Sequence, residues 1–181
     1  MNTPGSGPVI RLLGEDDAPA FRALRLRGLI EVPEAFGTAA SEFEGRSEAA
    51  IAQQWREAAD EPGNFTVGAF GDGTLVGVVA LYRERQLKVR HKAHLVQMYV
   101  APEARGLGLG RALVERLIAE ARTVEGLEQI HLDVVPEMTA ARALYLALGF
   151  TVYGREPRGL KLPDGYYDME QMVLSLNAPS S

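Results

Sequence analysis

The chain has 181 residues, a formal net charge of −5 and no cysteine, and 46% of its residues are hydrophobic. This size and composition fit one ordinary globular domain. Net negative charge argues against nucleic-acid binding, and the lack of cysteine excludes disulfides, thiolate metal sites and a cysteine acyl-enzyme. No apolar run reaches a membrane span of roughly 18 residues, and the N-terminus lacks the basic and apolar regions of a signal peptide. We therefore expect a cytoplasmic protein that does not bind membranes.

Proline, glycine and serine crowd both ends of the chain, which predicts disordered tails at residues 1–8 and 177–181 around one domain at residues 9–176. Apolar residues at 9–13 predict a short strand. Asp16 or Asp17 can cap the helix that follows, and residues 46–59 predict a second helix. The later elements are predicted as strands at 64–70 and 74–83 around a Gly71-Asp72-Gly73 turn, a strand at 95–100, a helix at 111–122, a strand at 129–135, a helix from Thr139, and strands near Phe150 and Tyr167.

A glycine-rich turn, Arg-Gly-Leu-Gly-Leu-Gly at residues 105–110, joins the predicted strand at 95–100 to the predicted helix at 111–122. The first N–H groups of a helix lack internal partners and lie at the positive end of its dipole, so they can bind phosphate oxygens. Two common nucleotide motifs do not fit. The Walker pattern needs a lysine where Arg111 stands, and a dinucleotide fingerprint read from Gly106 needs a glycine at that same position.

The remaining pattern, Arg105-x-x-Gly108-x-Gly110, resembles the coenzyme A signature of the GCN5-related N-acetyltransferase (GNAT) superfamily. A second match follows, because residues 141–150 end in Leu-Tyr-x-x-x-Gly-Phe and are similar to the later helix of that superfamily. The resemblance implies an α/β (α+β) fold, with a mixed central sheet of about seven strands flanked by about four helices. It also implies acetyl-CoA (coenzyme A) as the cofactor and direct transfer of an acetyl group to an amine.

Cofactor-binding residues follow from the same resemblance. The N–H groups of Gly106, Gly108, Gly110 and Arg111 would surround the diphosphate, and the pantetheine arm would pair with the main chain of the strand like an added strand. The full expected set is Met98, Tyr99, Val100, Arg105, Gly106, Leu107, Gly108, Gly110, Arg111, Met138 and Ala141. Met138 stands where relatives often have asparagine, so a side-chain hydrogen bond to the cofactor is not expected there.

Tyr145 is the expected general acid by resemblance. Its phenol would donate a proton to the departing coenzyme A sulfur, although its helical spacing from Ala141 and Leu148 fits core packing as well. The first candidate for the general base is His94, which by resemblance stands where the histone-acetylating branch has its base glutamate, on the strand before the signature turn. Histidine titrates near neutral pH, so it could replace that glutamate. A water chain served by His131 or Asp133 is the alternative. The three histidines lack metal-ligand spacing, so no metal is expected.

The acceptor is expected to be a primary amine of a small molecule or peptide. Residues 31–61 hold eight acidic and only two basic residues, which fits a solvated surface. They also resemble the helical segment that borders the acceptor site in relatives, so we expect a cationic acceptor. The basic residues at 83–92 are the sole support for a nucleic-acid-binding module. A non-catalytic acyl-CoA-binding or sensor domain remains the alternative to an acetyltransferase, and a homodimer is compatible with the sequence.

Overall fold

A computed structural model of the chain describes residues 7–177. The predicted tails lie outside that range except for Gly7, Pro8 and Asn177. The strands are β1 (Val9–Leu12), β2 (Phe65–Gly71), β3 (Thr74–Arg83), β4 (Lys92–Val100), β5 (Gln129–Val134), β6 (Thr151–Leu162) and β7 (Gly165–Ser175). The α-helices are α1 (Ala18–Glu31), α2 (Ala40–Glu44), α3 (Glu48–Ala58), α4 (Leu109–Ala121) and α5 (Thr139–Ala147).

The seven strands form one mixed sheet in the order β1-β2-β3-β4-β5-β7-β6. Every neighbouring pair is antiparallel except β4 and β5, which are parallel. The predicted α/β architecture and strand number are confirmed. The described residues contain five α-helices rather than four, because α2 is only five residues long and too short to show helical periodicity.

The centre of the sheet opens between its two parallel strands. β4 and β5 are paired only from Lys92 opposite Gln129 to His94 opposite His131. Beyond His94, β4 continues along β3 with a bulge, and Gln97 within that bulge has a φ of 60°. A bulge increases local twist, and a left-handed φ is strained for a residue with a side chain. The result is a gap whose two walls are the later halves of β4 and β5.

Two apolar layers cover the sheet. α4 and the ring of Tyr145 on α5 pack on one core, in which Leu113, Leu117 and Ile130 are fully buried. α1 and α3 pack on a second core that contains Phe21, Ile51 and Val78 together with Tyr99 of β4. The gap between β4 and β5 therefore lies in a sheet that is held on both faces.

Two local predictions have different outcomes. The turn between β2 and β3 is the predicted hairpin, with positive φ at Asp72 (47°) and Gly73 (79°), as in a type I′ turn. Asp17 precedes α1, but its carboxylate makes no capping bond to that helix and instead accepts hydrogen bonds from Arg11 (2.7 Å) and the Gly14 N–H (2.9 Å). Arg11 lowers the pKa of Asp17, because the ion pair stabilises the carboxylate.

Candidate active site

The turn from β4 to α4 has the backbone that a phosphate cradle needs. Gly106 and Gly108 have φ values of 76° and 74°, in the left-handed region that glycine adopts without strain. A Cβ on either residue would meet nothing within 4 Å, so the turn faces open space. Gly108 is the residue before α4, and the unpaired N–H groups of the first helical turn follow it.

The other residues of the turn have distinct surroundings. Arg105 donates from Nε to the carbonyl oxygen of Val100 at 3.0 Å and so closes the turn onto the end of β4. The side chain of Leu107 is 69% exposed. Gly110 lies inside α4, where an added Cβ would be 3.2 Å from the Met98 side chain. Arg111 is exposed and pairs with Glu115 at 2.7 Å, one helical turn further on.

An apolar groove of about 330 Å³ runs from this turn along the open side of β4 to α5. Most of the cofactor-binding residues that were expected outside the glycine turn line this groove. The groove is lined by Val32, Ala35, Met98, Tyr99, Val100, Arg105, Met138, Ala140, Ala141, Leu144 and Tyr145. Met138 contributes only apolar surface, as its residue type predicts.

Contacts with α1 hold the side chain of Tyr99 in place. Its ring packs so closely on Gly28 that a Cβ there would be 2.9 Å from the ring, and its hydroxyl donates to Glu31 at 2.5 Å. Burial, followed by the hydrogen bond to the Glu31 carboxylate, raises the pKa of Tyr99 to about 12. The side chain of Tyr99 therefore holds β4 against α1, and its main chain lies along the apolar groove.

A smaller inner cleft of about 80 Å³ continues from the groove into the gap between β4 and β5. Three polar residues line the inner cleft: Glu34 before α2, Gln97 in the bulge and Asp133 on β5. The complete lining is Glu34, Ala35, Leu95, Val96, Gln97, Met98, Leu132, Asp133, Val134, Val135, Met138, Ala141, Tyr145 and Met169.

Tyr145 lines both the apolar groove and the inner cleft. The residue is only 5% exposed, and its ring makes an edge contact with Phe150 at a centroid distance of 5.7 Å. Burial raises the pKa of Tyr145, so the phenol keeps its proton at neutral pH. The ring is thus a core residue whose hydroxyl end borders the cleft, which combines the two interpretations of this helical position.

His94 lies outside the cleft, where β4 and β5 are still paired. Its Nε2 is 2.9 Å from Glu84 Oε1, and its ring is 5.8 Å from that of His131 on the neighbouring strand. The next four residues of β4, Leu95 to Met98, line the inner cleft, whereas His94 does not.

Asp133 is the acidic residue of β5 that reaches the cleft. Asp133 is accessible to solvent, but partial burial raises its pKa, the nearby His94 lowers it, and Glu156 raises it further. His131, two residues earlier on the same strand, has its pKa lowered by burial and by the neighbouring His94. His131 Nδ1 lies 3.2 Å from the Tyr153 hydroxyl. Asp133 thus lies at the cleft, while His94 and Glu84 form a hydrogen-bonded pair outside it.

Several residues of the site were not predicted from the sequence. Val32 and Ala35, after α1, contribute to the groove, and Gln97 and Met169 contribute to the cleft. Only the Pro-Glu-Ala sequence after Val32 marked a break in the first helix. The positive φ of Gln97 had no sequence signal, since glutamine rarely adopts that conformation.

Within residues 7–177, no three histidine, aspartate or glutamate side chains converge on a position for a metal ion. Over the same residues, no helix has the length and apolar content to cross a lipid bilayer.

Comparisons with known proteins agree with this geometry. The model of the acetyltransferase (GNAT) family matches residues 29–150. The spermidine N(1)-acetyltransferase of Vibrio cholerae is 29% identical over 100 residues, which are 55% of this chain and 56% of that enzyme. The N-alpha-acetyltransferase RimI of Mycobacterium tuberculosis is 36% identical over 98 residues, 54% of this chain and 58% of that enzyme. The matched segments thus span less than two thirds of these curated relatives.

Solved structures match over nearly the whole chain. A GNAT-family acetyltransferase from Streptococcus pneumoniae superposes with a TM-score of 0.83 and 24% identity, covering 93% of this chain and 99% of the other. YncA, a putative acetyltransferase from Salmonella typhimurium solved with its cofactor acetyl-CoA, gives a TM-score of 0.83 at 22% identity, with 97% and 98% coverage. At this level of identity the likeness concerns the fold, and it covers 93% and 97% of the chain in the two cases.

Proposed function

Because this chain belongs to the acetyltransferase (GNAT) family, we propose that it is an acetyl-CoA-dependent N-acetyltransferase that acts on a primary amine of a small molecule or peptide. One observation carries the proposal: the glycine turn, the apolar groove and the inner cleft form one continuous path that ends at Tyr145. A cofactor lying along this path would bring its thioester to the gap between β4 and β5.

The residues present fit such a cofactor. The open glycine turn and the N-terminus of α4 offer N–H groups to a diphosphate, and Arg105 and Arg111 add positive charge. The apolar groove offers hydrophobic surface and the unpaired side of β4 to an extended amide chain. Leucine and methionine side chains line much of the cleft and would give the thioester apolar surroundings.

When bound, acetyl-CoA supplies an activated acyl group attached to a thiol leaving group. Tyr145 would donate its phenolic proton to the departing sulfur, and its raised pKa would keep the phenol protonated until then. An alkylammonium acceptor must first lose a proton, because its pKa is near 10.4. Asp133 at the cleft would receive that proton, directly or through a water, and His94 with Glu84 would carry it outward.

This role for Asp133 departs from the expected order, in which His94 was the first candidate and a water chain served by His131 or Asp133 was the alternative. His94 lies where the strands are still paired, while Asp133 lines the cleft itself. We assign the first proton transfer to Asp133 and keep His94 as the next group in the path. A water molecule would link the two groups.

A turnover screen tests the proposal. Purified protein would be incubated with acetyl-CoA and a library of primary amines, with release of free coenzyme A as the readout and the acetylated product identified by mass spectrometry. Many turnovers on at least one amine are expected. Saturable binding of acetyl-CoA with no acetylated product from any amine would instead favour a non-catalytic acyl-CoA-binding domain.

A further inference from the structure

The C-terminal part of α1 makes polar contacts with the chain at residues 99–105, which joins β4 to the glycine turn. Arg27 donates from Nη1 and Nη2 to the two carboxylate oxygens of Glu103, at 2.6 and 2.9 Å. Its Nε donates to Glu31 at 2.8 Å, one helical turn further along α1. Glu31 also accepts the hydrogen bond from the Tyr99 hydroxyl at 2.5 Å. These four residues, the Arg27 network, connect α1 to both ends of the segment before the turn.

The pair of Arg27 and Glu103 has the geometry of a strong ion pair. Two N–H groups of one guanidinium face the two oxygens of one carboxylate, an arrangement that arginine can form and lysine cannot. The hydrogen bonds from Arg27, followed by one from its own backbone N–H, lower the pKa of Glu103 to about 2. Glu103 is therefore ionised at neutral pH. The two side chains are 40% and 58% exposed, so the pair contributes little to folding stability by itself.

The ion pair between Arg27 and Glu103 joins two separate elements of the fold. Arg116 and Glu120, by comparison, pair across one turn of α4 and so connect that helix only to itself. Arg27 and Glu103 are 76 residues apart in sequence. Within residues 7–177, no other side-chain hydrogen bond connects the residues at 102–108 to a helix. The Arg27 network is therefore the polar link between α1 and the chain that enters the glycine turn.

The opposite wall of the apolar groove also depends on α1. Val32 and Ala35 follow the helix and line the groove, and Phe36 comes next in the chain. The guanidinium carbon of Arg25, a residue of α1 that is 5% exposed, lies 4.2 Å from the centre of the Phe36 ring. This cation–π contact holds the chain after α1 against the helix. α1 thus holds one wall of the groove through Arg25 and the other through Arg27.

We propose that Arg27 is a positioning residue, which acts through Glu103 and Glu31 to hold the end of β4 and the entry to the glycine turn in the arrangement that receives acetyl-CoA. This inference rests on the proposed function and adds to its cofactor site residues that line neither the groove nor the cleft. A segment that is ordered before binding loses less conformational freedom when the ligand binds. Loosening the Arg27 network should therefore weaken cofactor binding and leave the chemistry at Tyr145 unchanged.

The first experiment measures acetyl-CoA affinity by calorimetry in Arg27→Met, in Glu103→Gln and in the double variant. Methionine keeps the apolar stem of the arginine. Each single change should raise the Kd about threefold to tenfold, and the double variant should bind no more weakly than Arg27→Met, because both changes remove the same contact. Arg116→Met, which removes the local pair with Glu120, is the matched control and should keep the wild-type Kd. A wild-type Kd in Arg27→Met, or fully additive effects, would overturn the proposal.

The direction of the Glu103→Gln effect separates positioning from a direct contact between Arg27 and the cofactor. Neutralising Glu103 frees the guanidinium and removes a negative charge near the proposed diphosphate site, so a direct contact predicts equal or tighter binding. Positioning predicts weaker binding. In steady-state kinetics the KM for acetyl-CoA should rise in both variants, while kcat at saturating acetyl-CoA stays at the wild-type value. Tighter binding by Glu103→Gln, or a loss confined to kcat, would contradict the positioning role.

Hydrogen exchange of the free protein tests the positioning without a cofactor. Main-chain amides at residues 99–108 should exchange faster in Arg27→Met and Glu103→Gln than in the wild type or Arg116→Met, because the network no longer holds that segment. Unchanged exchange would overturn the inference even when the wild type acetylates an amine, and the proposed function would then stand. If the wild type binds no acetyl-CoA, the proposed function itself fails, and the inference that rests on it fails with it.

Discussion

Tyr145 places a buried aromatic ring in the core and its hydroxyl at the edge of the cleft, so the two parts of the side chain can be tested separately. Tyr145→Phe removes the hydroxyl and keeps the ring contact with Phe150. We expect kcat to fall by roughly 10²–10⁴-fold, the range of a positioned general acid, with little change in acetyl-CoA affinity. Steady-state kinetics and calorimetry on the same variant measure both effects.

Tyr166→Phe is the matched control, because Tyr166 is 52% exposed at the start of β7. It should leave kcat unchanged. Near-normal turnover of Tyr145→Phe, with the chemical step shown to limit the rate, would leave Tyr145 only its packing role. A joint loss of turnover and cofactor binding would point to a contact with the cofactor instead.

Replacing Asp133 is expected to change both the activity and the stability of the protein. Burial raises the pKa of its folded form above the unfolded value, so its contribution to stability is present below the unfolded pKa and is lost as pH rises through the folded pKa. Asp133→Asn removes this titration. The difference in melting temperature between the variant and the wild type should therefore shift in favour of the variant from acidic to neutral pH. The variant should also turn over more slowly than the wild type.

A series of thermal melts between about pH 4 and pH 8 measures the first effect, and the pH profile of kcat/KM measures the second. In the wild-type profile, activity should rise as Asp133 ionises, and this limb should disappear in the variant. A variant that keeps the limb would return the role of first base to His94.

At the scale of the structural element, the turn between β4 and α4 depends on glycine for its backbone. Gly108→Ala forces a residue with a Cβ into a φ of 74°, which costs about 1–2 kcal/mol of stability. Part of that cost is offset because alanine has less freedom in the unfolded chain. We expect a fall of about 2–4 °C in melting temperature together with weaker acetyl-CoA binding.

Gly73→Ala provides a control with the same strain at a distant place. Gly73 has a φ of 79°, and an added Cβ there also meets nothing within 4 Å, but it lies in the β2–β3 hairpin. Its melting temperature should fall similarly while acetyl-CoA affinity stays at the wild-type value. Equal affinity in both variants would show that the Gly108 turn does not touch the cofactor.

These elements also show which features could be predicted from the sequence. The Gly108 turn and the hairpin at Asp72-Gly73 were predictable, because few residues other than glycine adopt their backbone conformations. The bulge at Gln97 was not, since its positive φ arises from the register between β3 and β4. Arg25 was equally hidden, because its burial depends on α1 packing over β3 and not on any local pattern.

At the scale of the whole molecule, the seven strands and the four longer helices followed from periodicity and turn residues. Their order in the sheet was not predicted, because the insertion of β7 between β5 and β6 joins residues that are far apart in sequence. The same long-range pairing explains why the members of the inner cleft come from five separate segments. Residue types predicted the chemistry of the site, and topology determined which residues meet.

Ligand binding should stabilise the whole chain. At a free concentration of 100 times its Kd, acetyl-CoA is expected to add about 2.7 kcal/mol to the free energy of unfolding by mass action. For a chain of this size, that corresponds to a rise of about 5–11 °C in melting temperature. A thermal-shift titration measures the rise, with the Kd taken from calorimetry.

Pantetheine is the control ligand, because it lacks the diphosphate that the glycine turn is proposed to bind. At the same concentration it should raise the melting temperature far less than acetyl-CoA. An equal effect of the two ligands would mean that the turn contributes nothing to binding, and no effect of either would contradict the cofactor assignment.

β4 and β5 are paired at only three positions, and this short pairing should affect how fast the amide hydrogens of β4 exchange with solvent. Main-chain amides on the open side of β4 lack a neighbouring strand, so their hydrogens should exchange with deuterated solvent faster than those of β3 or β7. A cofactor arm lying along β4 would act as a temporary strand and slow that exchange. Deuterium uptake over residues 95–100, followed by mass spectrometry during cofactor turnover, should therefore report how long the sheet stays bridged in each catalytic cycle.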